Sequence, residues 1–285
     1  MRIFYTTLRD KSMSYELIIE AGRTERQYWK DLWRYRELFL ILTWRDVAVQ
    51  YKQTVVGILW AVLRPLLTMA AFTIVFSKIA KLPAEGEAPY ALMVFAAMLP
   101  WQLFATALGA TANSLVLNSN LVAKIYFPRI IVPAATLGVA VVDFAISFVL
   151  LGGMMCWYQY LPPVQILAVV PLTLLAALVA LGPGLILCAL NVTYRDFRII
   201  VPFITQFGLY ISPVGFSSSI VPAEWRVLYE CNPMVGVIDG FRWAVLGNTA
   251  FPERALIISL VCAVVFLLLG IRVFRRTERT FADII

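Results

Sequence analysis

The sequence contains no histidine. The commonest general base and the commonest metal ligand of proteins are therefore missing together, and acid–base or metal chemistry would have to start without its usual side chain. Cysteine is scarce: Cys156, Cys188, Cys231 and Cys262 have no short spacing and three of them fall inside apolar runs, so neither a disulfide framework nor a metal site is indicated. No G-x-x-x-x-G-K-[ST] occurs and no lysine follows a glycine, so this chain cannot build a phosphate-cradling loop. If nucleotide drives the protein, the nucleotide sits on another chain. Charges are spread through the first 22 residues, which lack the apolar core of about 7 to 15 residues of a cleavable signal peptide; the amino terminus is expected to be mature.

Charge itself is the largest deficit. Only 14% of the 285 residues are charged while 61% are hydrophobic, far from the balance of a soluble globular domain. A hydrocarbon core about 30 Å thick asks for roughly 20 consecutive apolar residues per helix. Six windows qualify: 55–77, 90–112, 130–158, 164–190, 199–223 and 255–271. The last is short, but Arg254 and Arg272 flank it and can extend to the interfaces. The expectation is an all-α membrane protein with a cytoplasmic amino-terminal segment over 1–54 and a six-span domain over 55–285.

Of the 24 Lys and Arg, eighteen lie in 1–54, 113–132, 191–198 and 272–285, and the alternate loops hold only Lys78, Lys81, Arg226, Arg242 and Arg254. By the positive-inside rule the basic set faces the cytoplasm, which puts both termini inside. The net charge of +7 thus reads as topology. Nucleic-acid binding, the rival explanation for a basic chain, lacks a basic stripe with interleaved aromatics on a soluble domain.

Ahead of the first span, Arg26, Lys30, Arg34 and Glu37 share one helical face and Tyr28, Leu32, Tyr35, Phe39 and Leu42 the opposite one, with Trp29 and Trp33 towards the side. This pattern predicts an interfacial amphipathic helix with its aromatics at headgroup depth, against the alternative of a short helix packed on a partner. Two cytoplasmic links remain, 113–129 and 191–198. The first can form a short helix from Leu117, Leu121, Lys124 and Ile125, and the second reads NVTYRDF. They are either connectors that fix topology or docking surfaces for a cytoplasmic motor. Outside, prolines at 213, 222 and 233 divide the long stretch 212–248 into pieces of about ten residues. Two short helices that dip into the outer leaflet and return are expected there, with Trp225, Tyr229, Phe241 and Trp243 at the interface; an ordinary loop resting on the bundle is the plainer reading.

Within the spans, Arg64 and Asp143 are the ionisable groups, and each is a functional candidate because such groups are costly in a bilayer. They could pair structurally, or Arg64 could line a conduit and bind phosphate or carboxylate; for Asp143 a structural role is favoured. Among the aromatics, Trp60, Phe203, Phe207 and Tyr210 are the best candidates for lining a path, the last three sharing a helix face, with Trp101 on the second span beside them.

Five stretches complete the picture: YKQTVVGILWAVLRPL (51–66), LPWQLFATAL (99–108), NSNLVAKIYFPR (118–129), LNVTYRDFRIIVPF (190–203) and NPMVGVIDGFRWAVLG (232–247). In this order the chain resembles, over nearly its whole length, the membrane subunit of polysaccharide-exporting ATP-binding-cassette transporters, most nearly the O-antigen (lipopolysaccharide) branch. The resemblance implies a bacterial inner-membrane permease that exports lipid-linked polysaccharide. It implies a homodimer carrying two cytoplasmic ATPase subunits, with ATP and Mg on those partners and no cofactor on this chain. Asn120, Lys124, Phe127, Pro128, Arg129 and Tyr194, Arg195, Asp196, Phe197 would then be coupling elements seated on the ATPase. Trp60, Arg64, Trp101, Phe203, Phe207 and Tyr210 would line the substrate path, and Pro222, Trp225, Tyr229, Pro233 and Phe241 an outer gate. Capsule or teichoic-acid export is the alternative within the same scheme. An enzyme acting on a lipid-linked sugar would need paired acid and base groups, and an ion-coupled transporter should show internal repeats or several buried carboxylates.

Overall fold

A computed structural model describes residues 25–52, 55–83, 88–124, 127–194, 196–247 and 249–278. Among the described residues the chain is helical, with no strand. Helix α1 (Glu25–Arg34) leads almost directly into α2 (Arg36–Lys52), and α3 (Val55–Phe72) continues through a π-helical turn (Thr73–Ile79). Then come α4 (Tyr90–Leu117), α5 (Ser119–Lys124), α6 (Ile131–Ala135) and α7 (Leu137–Trp157). A 3-10 turn (Val164–Ala168) opens α8 (Val169–Thr193), which is followed by α9 (Phe197–Ile211). Two shorter helices, α10 (Ala223–Glu230) and α11 (Pro233–Leu246), precede α12 (Glu253–Thr277).

Among the described residues, five stretches are long and apolar enough to cross a membrane: Leu59–Ile79, Tyr90–Leu117, Ile131–Trp157, Val164–Thr193 and Glu253–Thr277. The sixth window, 199–223, is helical only as far as Ile211. Pro213 supplies the reason: the residue before a proline is pushed out of the α region, and Ser212 is extended at φ −81°, ψ 152°. Fifteen residues at about 1.5 Å each rise about 22 Å, less than the hydrocarbon thickness of about 30 Å.

Helix α4 is the hub and is buried along most of its length, from Leu92 to Ala97 completely. Helices α7, α8, α9 and α11 pack around it, and α12 closes on α8 and α11. Small residues set the closest approach: a Cβ built on Gly270 of α12 would lie 2.4 Å from the Gly182 carbonyl oxygen of α8. Backbones meet there directly, as small residues allow in membrane helices, where dispersion contacts rather than water drive association.

The amino-terminal helices depart from expectation. The face with Tyr28, Leu32, Tyr35, Phe39 and Leu42 packs on a protein cluster built from Leu115, Phe127, Ile130, Ile131, Cys188 and Phe274, so the bundle itself covers it. Helical periodicity identifies an apolar face but not what covers it, and here the base of the bundle does. The outward side instead carries Trp29, Trp33 (72% exposed), Leu40, Ile41 and Trp44. Helix α2 then follows α6 and α7: the Thr43 hydroxyl donates to the Ala135 carbonyl at 3.2 Å, and further on Tyr51 and Gln50 donate to Asp143. Asp143 therefore has a structural hydrogen-bonding role between α2 and α7, with Arg64 near enough for its charge to act on it.

Candidate functional site: two turns, an aromatic face and a pinned loop

Two of the turns between long helices fall at one end of the bundle. After Leu117 the chain leaves α4 at Asn118, whose amide nitrogen donates back to the Ser114 carbonyl at 2.9 Å and whose amide oxygen accepts from Arg45 of α2 at 2.7 Å. Helix α5 follows as the expected short helix, with Asn120 and Lys124 exposed. Phe127 and Pro128 are buried, so they anchor the turn and do not present it. Arg129 is half-buried and turned towards the end of α12, where its guanidinium donates to the Glu278 backbone carbonyl at 2.5 Å.

In the second turn α8 runs to Thr193, Tyr194 is extended at φ −130°, ψ 106°, and Asp196 precedes the first residue of α9. Tyr194 and Asp196 are exposed, and the Tyr194 ring lies 6.3 Å from that of Phe197. Arg195 lies outside the described residues. What brings the two turns together is Asn191, a residue to which sequence reasoning gave no role. Its buried amide donates to the Ala112 carbonyl at 3.0 Å and to the Asn113 side chain at 3.1 Å, fastening the end of α8 to the last turns of α4.

Beyond the second turn, α9 presents Phe203 (64% exposed), Phe207 and Tyr210 along one face, with the Phe203 and Phe207 rings stacked at 5.5 Å. Tyr210 stacks at 6.4 Å on Phe72 of α3, the helix that also exposes Trp60 and Arg64. Trp101 does not join this surface. It is 5% exposed and packs behind α9, where its ring would lie 2.7 Å from a Cβ on Gly208. A tryptophan on the hub helix is drawn into the core, and Gly208 makes the room.

The stretch 212–248 holds two helices, α10 and α11, but sorts its aromatics differently from expectation. On α10, Trp225 is exposed beside Pro222, and Tyr229 is half-buried. Helix α11 begins at Pro233 behind an Asn232 cap, whose oxygen accepts from the Met234 N–H at 3.0 Å. It is then enclosed by α4, α8 and α12. Phe241 is completely buried, edge-on to Phe144 at 5.9 Å, and not at an interface as its sequence position suggested. Amphipathic spacing is weak in this stretch, so its buried side could not be chosen without the neighbours.

Arg242, a loop charge by its place in the sequence, lies inside the protein. It is 1% exposed, and one guanidinium nitrogen donates to the carbonyls of Pro213, Val214 and Phe216 at 2.5, 3.3 and 2.8 Å. Asp239, three residues earlier, stands 3.7 Å from the other. From the opposite side the Tyr90 hydroxyl donates to the Gly215 carbonyl at 2.5 Å. A lone arginine within the apolar run GFRWAVLG, one helical turn after an aspartate, was the available signal.

Among the described residues, long apolar helices packed around a central one, with exposed turns gathered at one end, have the character of a multi-span membrane protein. The chain belongs to the membrane family of ABC-2 type transporters, whose profile matches residues 37–246. It is 24% identical over 251 residues to the O-antigen export system permease protein RfbA of Klebsiella pneumoniae, covering 87% of this chain and 95% of that protein. It is 26% identical over 264 residues to RfbA of Myxococcus xanthus, covering 89% and 97%. The capsule polysaccharide export inner-membrane protein CtrC of Neisseria meningitidis is 25% identical over 244 residues, covering 84% and 90%.

Proposed function

We propose that this chain is the permease half of an ATP-driven exporter that carries lipid-linked polysaccharide, O-antigen-like in kind, from the cytoplasmic to the periplasmic side of a bacterial inner membrane. The near full-length match to O-antigen export permeases carries the reading. Export of capsule is the second reading, favoured by the match to CtrC. Both termini would lie in the cytoplasm, with α9 and the outer turn after it completing a sixth span.

Two copies would pair so that the aromatic faces of α3 and α9 border a common path. Phe203, Phe207, Tyr210 and Trp60 offer flat apolar surfaces over which a sugar chain can slide without fixed hydrogen-bond geometry. Arg64, exposed on the same helix as Trp60, suits a phosphate or carboxylate group. Each copy would seat Asn120, Lys124, Tyr194 and Asp196 on an ATPase subunit that holds ATP and Mg, with Phe127, Pro128 and Phe197 bracing those contacts from behind. Pro222, Trp225, Tyr229 and Pro233 would form the outer gate, and Phe241 its buried root.

Replacing Tyr194, Arg195 and Asp196 together by alanine should leave the permease inserted while uncoupling ATP hydrolysis from export. Measured in proteoliposomes holding permease, ATPase and glycan lipid, unchanged export in that variant would sink the coupling assignment. On the path itself, Phe203→Ala with Phe207→Ala should lower export severalfold while hydrolysis persists. Equal loss of both activities would place those rings in folding instead of transport.

A further inference from the structure

We infer that Tyr28, Arg129 and Glu278 are positioning residues that clamp the turn between α4 and α6 to the amino-terminal helices and to the end of α12, so that this turn moves only together with them. The inference rests on the proposed coupling role of that turn.

The turn is held at both ends by chain distant in sequence. At its start, Arg45 of α2 donates to the Asn118 side chain at 2.7 Å, and Asp46 holds the same guanidinium at 2.7 Å. At its finish, the Arg129 backbone N–H donates to Glu278 Oε1 at 2.9 Å and the Arg129 guanidinium to the Glu278 carbonyl at 2.5 Å. The other carboxylate oxygen of Glu278 accepts from the Tyr28 hydroxyl of α1 at 3.1 Å. Arg275, one turn back on α12, lies over the Tyr28 ring at 4.7 Å. One carboxylate thus joins three segments, 28, 129 and 278, across 250 residues of sequence.

Beneath the polar contacts runs an apolar seam in which Phe127, Ile130 and Ile131 meet Phe274, Leu32, Tyr35 and Leu42. A packed seam resists sliding, and hydrogen bonds to a charged carboxylate are among the stronger ones in proteins. Burial raises the Glu278 carboxyl above its ordinary value, and the Arg129 N–H, the Tyr28 hydroxyl and the two neighbouring guanidinium groups offset this only in part. A push delivered at α5 therefore reaches α2 through Asn118 and the end of α12 through Arg129, as well as α4.

Two measurements on the permease–ATPase complex test the clamp. Spin labels at Ala123→Cys and Arg276→Cys, with the four native cysteines replaced, report the separation of α5 from the end of α12. The clamp predicts one distance with and without a non-hydrolysable ATP analogue, and a broader or shifted distribution in Glu278→Ala. A shift on nucleotide without the Glu278 change overturns it. Sugar chains exported per ATP should fall about fivefold in Glu278→Ala at undiminished hydrolysis, and recover in part in Glu278→Gln, which keeps an acceptor. An unchanged ratio overturns the clamp, as does a joint fall of hydrolysis, export and melting temperature, which marks a stabilising residue only. If Glu278→Ala does not accumulate, Tyr28→Phe decides: it removes one hydrogen bond, leaves the ring under Arg275, and must still lower the ratio. A wild-type complex that hydrolyses ATP without exporting glycan lipid counts against the proposed function, while the label distances judge the clamp independently.

Discussion

Replacing Arg242 by methionine is expected to destabilise the folded permease by about 3 to 5 kcal/mol, the range found when one partner of a buried charged network is removed. Methionine roughly fills the space but donates nothing. The carbonyls of Pro213, Val214 and Phe216 then lose a shared donor, and Asp239 is left beside them without its neighbouring charge. Each orphaned buried acceptor costs about 1 to 3 kcal/mol, so the three carbonyls alone can account for the effect even if some find water. Water has a way in, because a cavity of about 160 Å³ borders Asp239, Arg242, Ser218, Ser219 and Thr249, with Ala250 and Pro252 completing its lining. Lysine should fall between the two, since an ammonium can reach one or two of the carbonyls but lacks the planar fork. Melting of the detergent-solubilised protein, followed by size-exclusion of the heated sample, measures the difference. Arg242→Met melting with the wild type would show that the turn after α9 holds itself.

The same arginine shows how far the sequence could be read. Apolar runs announce themselves by length, and the windows at 90–112, 164–190 and 255–271 sit within long helices, with Pro100 and Pro183 carried inside α4 and α8 without ending them. The window at 199–223 was equally apolar, yet backbone geometry at Pro213 ended it, and composition alone weighs a proline too lightly. Whether Arg242 faced water or carbonyls depended on residues 26 to 29 positions away, which no local pattern reports.

Aromatics divided along the same line. Phe203, Phe207 and Tyr210 stand on one exposed face as their spacing required, because spacing is a property of a single helix. Trp101 and Phe241 went inside because their helices are surrounded, which is a property of the assembly of helices. The amino-terminal face from Tyr28 to Leu42 was identified as apolar, and its cover came from Phe127 and Phe274. Asn191 and Glu278 are single polar residues with partners 78 to 250 positions distant, and a partner at that range leaves no periodic trace.

Replacing Gly270 by alanine should cost about 1 to 3 kcal/mol, the usual penalty for forcing a methyl into a packed interior. The new Cβ would stand 2.4 Å from the Gly182 carbonyl oxygen, and backbone cannot rotate away as a side chain can, so α8 and α12 must part. Gly182→Ala makes the reciprocal collision, 2.6 Å from the Phe266 backbone carbon. Both changes open the same seam, so once one has parted the helices the second adds little, and the double variant should lose clearly less than the sum of the two. Gly152 is the control: nothing lies within 4 Å of its Cβ position, and alanine there should be neutral or slightly stabilising because it favours the helix. Full additivity of the Gly182 and Gly270 losses in melting experiments would mean that the two glycines do not report one contact. Sub-additivity with a neutral Gly152→Ala would locate the tightest joint of the bundle between α8 and α12. Helix α12 would then answer to α8 along its length and to the turn after α5 at its end, so a displacement of that turn could not leave the membrane-spanning helices where they were.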